Sequence, residues 1–313
     1  MKRRSFFKSL VATGLVGSID SAKASATLAN AIAGSTVAAE QGHELPRQLH
    51  DQERSGIGRD FLDLDGLPNG FRRGDMIVLA SRPAMPKSQL ALKIAESHVL
   101  AEKQPVLIFS TEWCAKLVGR QMLASMTGIG IDRLGSNRLS DDDLRNIAHV
   151  EQLLSEPPLF IDDSSLLTVG LLIKKVRAIE SSHGQLGLIV IDRIQNLSMS
   201  ETNARDGGMQ QVALALKSIA QSHNVPVLVL SELSRDLEDR DNKWPTLRDL
   251  PDSIAVANSA DVVLLLYRDE VYNYTGKSPE VINIIVARNR YGANGVIGMN
   301  YQHGILGHTS ILS

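Results

Sequence analysis

The sequence predicts an α/β fold, a doubly wound, mostly parallel sheet with helices on both faces. Two observations carry this. Six apolar runs of four to six residues, rich in Val, Ile and Leu, recur along the chain. Uninterrupted runs of that length suit strands buried on both faces. Helix-like stretches separate them, and repeated strand–helix units build a sheet covered by helices on two sides. Composition agrees. Of 313 residues, 43% are hydrophobic and 22% charged, which excludes a mostly disordered chain, a coiled-coil rod and a polytopic membrane protein.

The runs, in order, are Met76–Ala80, Val106–Ser110, Leu159–Asp162, Leu188–Asp192, Val227–Ser231 and Val262–Tyr267. The helix-like segments are Ser88–Glu102, Lys116–Met126, Asp141–Leu154, Val169–Ser182 and Met209–His223. Sites in such folds lie beyond the carboxyl ends of the strands, so the residues after each run are the informative ones. Net charge is −2, and any nucleic-acid binding must come from a local basic patch. The single cysteine, Cys114, rules out an internal disulfide and a cysteine-built zinc cluster. It reads as a packed small residue. Residues His149, His183 and His223 fall on or at the ends of helices without metal-ligand spacing, as surface or capping groups.

The first 54 residues differ from the rest. Lys2, Arg3, Arg4 and Lys8 precede a weakly apolar stretch, Leu10 to Ile19, and two overlapping A-x-A patterns from Ala22 to Ala26. This is the order of an export signal, and Arg3-Arg4-Ser5-Phe6-Phe7-Lys8 resembles the twin-arginine type. The apolar stretch is too short to span a bilayer, so no stable membrane insertion is expected. A basic, Ala-rich tail is the alternative. The division expected is a basic, apolar segment over 1–26, a linker over 27–54 and one folded domain over 55–313.

Three strand ends carry candidate chemistry. After the first run, Ser81-Arg82-Pro83-Ala84-Met85-Pro86-Lys87-Ser88 leads into a helix. A strand, a loop, Lys-Ser and a helix form a phosphate-binding context. Backbone N–H groups and the helix N-terminus cradle phosphates, Lys reaches the terminal oxygens, and Ser binds Mg²⁺. Proline at 86, where such loops carry glycine, lacks an N–H and fixes φ, which makes the spacing alone a weak indicator. After the second run, Thr111-Glu112 places a carboxylate that can orient water, or equally a solvated Glu at a helix start. Asp192 ends the fourth run, where an acid holds Mg²⁺ through water or caps a helix. Asp162 and Asp163 read as Asx turns before Ser164 and Ser165.

The order and content of these elements resemble the C-terminal, RecA-like motor domain of the replicative DNA helicase DnaB family, over roughly residues 55–305. The resemblance rests on Asp75 to Pro83, Pro105 to Glu112, Ile161 to Ser165, Leu188 to Asp192, Asn224 to Val227, Leu230 to Arg235, and Tyr267-Arg268-Asp269-Glu270-Val271-Tyr272 after Ala260-Asp261. It implies a RecA-like P-loop NTPase that uses ATP and Mg²⁺. Arg82, Pro86, Lys87, Ser88, Gln89 and Asp192 then line the nucleotide, with Ser88 and Asp192 toward the metal. Glu112 becomes the base that activates water, and Gln195 a family glutamine. Arg288 and Arg290 become the basic residue and arginine finger that reach a neighbouring subunit. Arg205, Asp249, Pro251 and Asp252 fall on the family's loops for single-stranded DNA. A ring, usually a hexamer, is implied.

The departures from that pattern are specific. Pro86 replaces the loop glycine. Glu232 stands where the family has a glutamine near the γ-phosphate, so an acceptor-only anion replaces an amide. Pro251 and Ile254 replace an arginine and a glycine of the DNA loop, removing a charge and an N–H. Two functions are therefore expected in competition: a DNA-translocating motor with a weakened site, or a catalytically inactive homologue that serves as a nucleotide-binding or assembly module. A cytoplasmic location is expected, because an exported motor would leave ATP and DNA behind. Export to the periplasm by the twin-arginine route is the alternative.

Overall fold

The computed structural model describes residues 71–135, 139–154, 159–199, 208–251, 253–273, 281–302 and 305–310. The basic N-terminal segment, the linker and the start of the expected domain lie outside the described residues, as do Arg205 and Asp252.

All six predicted runs are strands: β1 (Met76–Ser81), β2 (Val106–Ser110), β3 (Leu159–Asp162), β5 (Leu188–Asp192), β7 (Val227–Glu232) and β8 (Val262–Tyr267). They form the parallel part of one sheet, in the order β8-β1-β7-β5-β2-β3. Three further strands extend it antiparallel beyond β8: β9 (Val281–Asn289), β10 (Gly295–Gln302) and β11 (Ile305–Ser310). This extension is not among the predicted runs. Polar residues interrupt its strands, and β9 is only partly buried, so they read weakly as strands. Two short strands, β4 (Leu167–Thr168) and β6 (Leu197–Ser198), pair separately.

The helices are α1 (Lys87–Glu102), α2 (Ala115–Thr127), α3 (Ile131–Gly135), α4 (Asp141–Leu153), α5 (Val169–His183), α6 (Gly208–Ser222) and α7 (Ser253–Ser259). Five coincide with the predicted segments to within a residue or so, while α3 and α7 are additional. Strand alternation divides the core in two. Ile77 and Leu79 of β1 pack with α1, α2 and α4. Met76, Val78 and Ala80 pack with α5, α6 and α7. The sheet is therefore doubly wound with helices on both faces.

Local chemistry sets the helix ends. Ser140 and Asp143 form a reciprocal capping box at the start of α4, and the Thr168 side chain accepts from the Leu171 N–H at the start of α5. Asp162 accepts from the Ser164 N–H at 2.9 Å, the expected Asx turn. It also pairs with Lys175. Asp163 instead accepts from the Ala115 N–H at 2.9 Å, supplying a cap to α2 from across the chain. Cys114, expected to be packed, is exposed at the N-cap of α2, because the strand-end loop carries it out of the core. His149 is exposed, and His223, directly after α6, is half-buried and pairs with Glu180 of α5 at 2.7 Å.

Helix α1 buries two titratable groups. Glu96 accepts from the Ser125 hydroxyl at 2.9 Å and lies 3.4 Å from the Lys93 ammonium. Burial, only partly offset by these partners, pushes its carboxyl up to about 7. His98 is buried beside Gly187, where a Cβ would stand 2.5 Å from Nε2. Burial pushes its imidazole down to about 4.

Candidate active site

Register brings the candidate residues to one edge. Ser81 of β1 lies opposite Glu232 of β7, and Ser110 of β2 opposite Asp192 of β5. The carboxyl ends of β1 and β7 are level with each other, and those of β2 and β5 are level about two residues short of them, all at the same edge of the sheet. They present, side by side, the Ser81–Ser88 loop, Glu232, Asp192 and Thr111-Glu112.

The Ser88 hydroxyl donates to Asp192 Oδ2 at 2.6 Å. Asp192 is buried, and its Oδ1 has no hydrogen-bond partner among the described residues. Burial raises its pKa; the Ser88 hydroxyl and the Lys87 ammonium act against this. Lys87 is also buried, with its ammonium 3.4 Å from the Ser231 carbonyl. Burial lowers its pKa, opposed mainly by Asp192 and Glu112. The pair is thus a buried cation and anion that do not directly bond, with one carboxylate oxygen left unpartnered.

The loop backbone is less open than the side chains. Ala84 takes a left-handed φ of 65°. Pro86 has φ −80° and ψ 47°, and the Lys87 N–H donates to the Met85 carbonyl at 2.8 Å. That closes a three-residue turn around Pro86. One N–H of the loop is missing and the next is spent internally. Gln89 faces elsewhere, its Oε1 accepting from the Tyr301 hydroxyl at 3.0 Å.

Neighbouring strand ends are tied together by predicted residues and by two that the sequence does not single out, Asn196 and Arg193. The Thr111 N–H and hydroxyl both donate to the Asp192 carbonyl, at 2.7 and 2.8 Å. Asn196 donates to the Thr111 hydroxyl at 2.8 Å. Gln195 donates to the Ser231 hydroxyl at 2.9 Å and to the Glu232 carbonyl at 3.2 Å. Glu112 faces solvent and pairs with Arg193 at 3.1 Å. Arg82 is buried against the Leu233 carbonyl, Glu232 and Glu238. The Asp192–Arg193 peptide is cis. A cation directly after a strand-ending acid was the available clue to Arg193.

The other predicted residues lie apart. Arg288 is the penultimate residue of β9, paired with Val263 near the start of β8, and Arg290 directly follows β9, so both stand at the opposite edge of the parallel strands. Arg288 donates to the Ala257 carbonyl at 2.7 Å. Arg290 pairs at 2.7 Å with Asp261, which is fully buried and also holds Lys217 and the Met76 N–H. Neither arginine reaches Lys87 of its own chain. Asp249 is buried, accepting from the Thr246 N–H and hydroxyl at 2.7 and 3.0 Å and pairing with Arg240 at 3.0 Å. It pins the loop before Pro251 rather than facing outward.

The side chains fit a metal-bound phosphate better than the loop backbone does. The unpartnered Asp192 Oδ1 and the Ser88 hydroxyl are hard oxygen donors of the kind Mg²⁺ takes alongside water and phosphate. Among the described residues no group of three or more His, Cys, Asp or Glu is arranged to hold a metal.

A family model described as the DnaB-like helicase C terminal domain matches residues 56–308. The chain belongs to the DnaB-like helicase C-terminal domain family. Its expected RecA-like fold is accordingly the one observed. Relatives of this DnaB-like domain include the replicative DNA helicase DnaB of Geobacillus stearothermophilus, 33% identical over 265 residues, and the replicative DNA helicase DnaC of Bacillus subtilis, 33% identical over 266. Each match covers 83% of this chain and 58% of the relative, so the chain spans little more than half the length of these proteins. Among solved structures, a DnaB-like replicative helicase, described with its interactions with primase, superposes with a TM-score of 0.74 at 25% identity. The match covers 82% of this chain and 62% of that one. A second solved structure, described as an ATPase domain, superposes with a TM-score of 0.76 at 24% identity, over 93% and 99% of the two chains, and shares the fold.

Proposed function

We propose that this DnaB-like domain binds ATP with Mg²⁺ at the carboxyl edge of its parallel strands and hydrolyses it to drive movement along single-stranded DNA during replication. The observation that carries the proposal is the 2.6 Å bond between Ser88 and Asp192 beside buried Lys87, with one oxygen of Asp192 left unpartnered.

Each residue has a role set by its chemistry. Ser88 and Asp192 would hold the cation, which supplies charge neutralisation at the β and γ oxygens when bound. Lys87 places an ammonium at the helix start, where the dipole also favours anions. Glu112 is solvent-facing and takes a proton from the attacking water at its carboxylate. Gln195 bonds the end of β7 at Ser231 and Glu232, linking that strand to the segment after Asp192. Arg288 and Arg290 stand at the far edge, where they serve a neighbouring subunit of a ring, with six members as the working expectation. Arg205, Pro251 and Asp252 belong to the DNA-facing loops in this reading, and Asp249 supports them from inside.

The same site favours a second reading on one observation, the turn that consumes the Lys87 N–H next to a residue without one. In that reading the domain binds nucleotide weakly and serves as an assembly module without unwinding. Phosphate release by the full chain, with and without single-stranded DNA, separates the two. Turnover that DNA stimulates and Lys87→Ala abolishes supports the motor; binding without turnover supports the module.

Among the described residues no helix is long and apolar enough to cross a membrane. We place the protein in the cytoplasm, where its nucleotide and DNA are. N-terminal sequencing of protein recovered from cells tests this, since a new terminus near Thr27 would mean export.

A further inference from the structure

A ladder of charges crosses the site, and Arg193 is its central rung. Arg193 Nε lies 3.1 Å from Glu112 Oε1, and the N–H does not aim at the oxygen, so this is an ion pair rather than a hydrogen bond. Its Nη1 donates to Glu232 Oε2. The other oxygen, Glu232 Oε1, faces Arg82 at 3.3 Å. Arg82 is itself buried and bound to Glu238 at 2.8 Å and to the Leu233 carbonyl at 2.7 Å.

The charges do not cancel without Arg193. Arg82 is already matched by Glu238, which leaves Glu232 and Glu112 as two anions at the mouth of a site meant for a polyanion. A carboxylate has acceptors only and cannot donate to a phosphate. At the end of a central strand, level with the phosphate loop, it repels one. Arginine is suited to correct this, because its planar fork serves two carboxylates at once and never loses its charge.

We infer that Arg193 is a positioning residue of the nucleotide site: its guanidinium neutralises Glu232, so that a terminal phosphate is accepted there, and holds the Glu112 carboxylate at the mouth. This rests on the nucleotide reading proposed above. Arg193 and Glu232 then form one unit in which the anion is tolerated only because the cation is present.

A double-mutant cycle on the full chain tests it, with calorimetric titration of the imido analogue of ATP in Mg²⁺. Arg193→Gln is expected to weaken binding about tenfold to a hundredfold, the loss of one charge-assisted contact to an anion. Arg193→Lys, a point charge that serves one carboxylate rather than two, falls between. Arg193→Gln combined with Glu232→Gln returns to within about threefold of the natural protein, since both charges go together. A rescue of this kind does not follow from a merely structural loss. Arg193→Gln binding like the natural protein overturns the inference, as does a double variant no better than Arg193→Gln. Should Arg193→Gln fail to fold, Glu232→Gln alone decides: affinity equal to or above the natural protein supports the inference, and weaker binding overturns it. If the natural protein and Lys87→Ala bind the analogue equally poorly, the nucleotide reading itself fails and the inference falls with it. That pattern differs from every one in which Arg193 alone is refuted.

Discussion

At Pro86 the backbone withholds two donors from the phosphate loop. The proline has no N–H, and the turn it centres spends the Lys87 N–H on the Met85 carbonyl. Pro86→Gly removes the fixed φ and restores a donor. The expected outcome is tighter nucleotide binding by about one to two decades, the worth of a charge-assisted hydrogen bond. Calorimetric titration against the natural sequence checks it, with Lys87→Ala as the negative control. Unchanged affinity would mean that the loop donors already reach the phosphates by another route. Asp192 illustrates the opposite case, a residue whose burial leaves an oxygen unsatisfied. Such a group is costly unless something binds it, and here that cost marks the site.

At the scale of elements, α1 carries both the loop lysine and the two buried titratable groups, and these give it a pH signature. Glu96 has its carboxyl raised to about 7. The stability it permits is fully present below its ordinary value of 4.5 and is lost as pH rises through about 7. His98, lowered to about 4, acts in the other sense: its contribution is present above 6.5 and lost as pH falls toward 4. Glu96→Gln is expected to remove the alkaline loss, stabilising the protein above about pH 7 by on the order of 2–3 kcal/mol. Urea midpoints at about pH 5 and about pH 8 check the sign: the variant gains at the higher pH and gains little at the lower. The far edge of the sheet is held by Asp261, fully buried between Lys217, Arg290 and the Met76 N–H. Asp261→Ala leaves Lys217 without its buried partner and is expected to cost about 3–5 kcal/mol, read as a lowered urea midpoint. Arg290 is therefore tied to stability as well as to any role in trans, and Arg288 is the cleaner probe of such a role.

At the scale of the whole molecule, the strand order puts the loop, Asp192 and Glu112 at one edge and both arginines at the other. In the function proposed for this domain, one chain alone does not close the site. If a neighbour supplies Arg288, mixing Lys87→Ala with Arg288→Ala restores turnover that neither has alone, because some mixed interfaces hold an intact pair. An equimolar mixture assayed for phosphate release checks this, and a mixture as silent as its components would remove the arrangement in trans.

What the sequence determined by itself was the parallel framework and the residue types at its strand ends. Six apolar runs marked β1, β2, β3, β5, β7 and β8, because strands buried on both faces admit little else. Glu112 and Asp192 stood at the ends of two of them, and Lys87 and Ser88 at the end of the loop after a third, where such folds place their chemistry. The antiparallel strands β9 to β11 were not legible, since strands that mix polar with apolar residues lose the contrast that marks a run. Tertiary structure alone decided which candidates meet. Register joined Ser88 to Asp192, left one oxygen of Asp192 bare and spent Asp249 inside its own loop. It also brought Arg193 between Glu112 and Glu232, residues 81 and 39 positions away along the chain. Local sequence sets what each residue can do, but partnership between charges depends on distance in space, and only the folded sheet decides that.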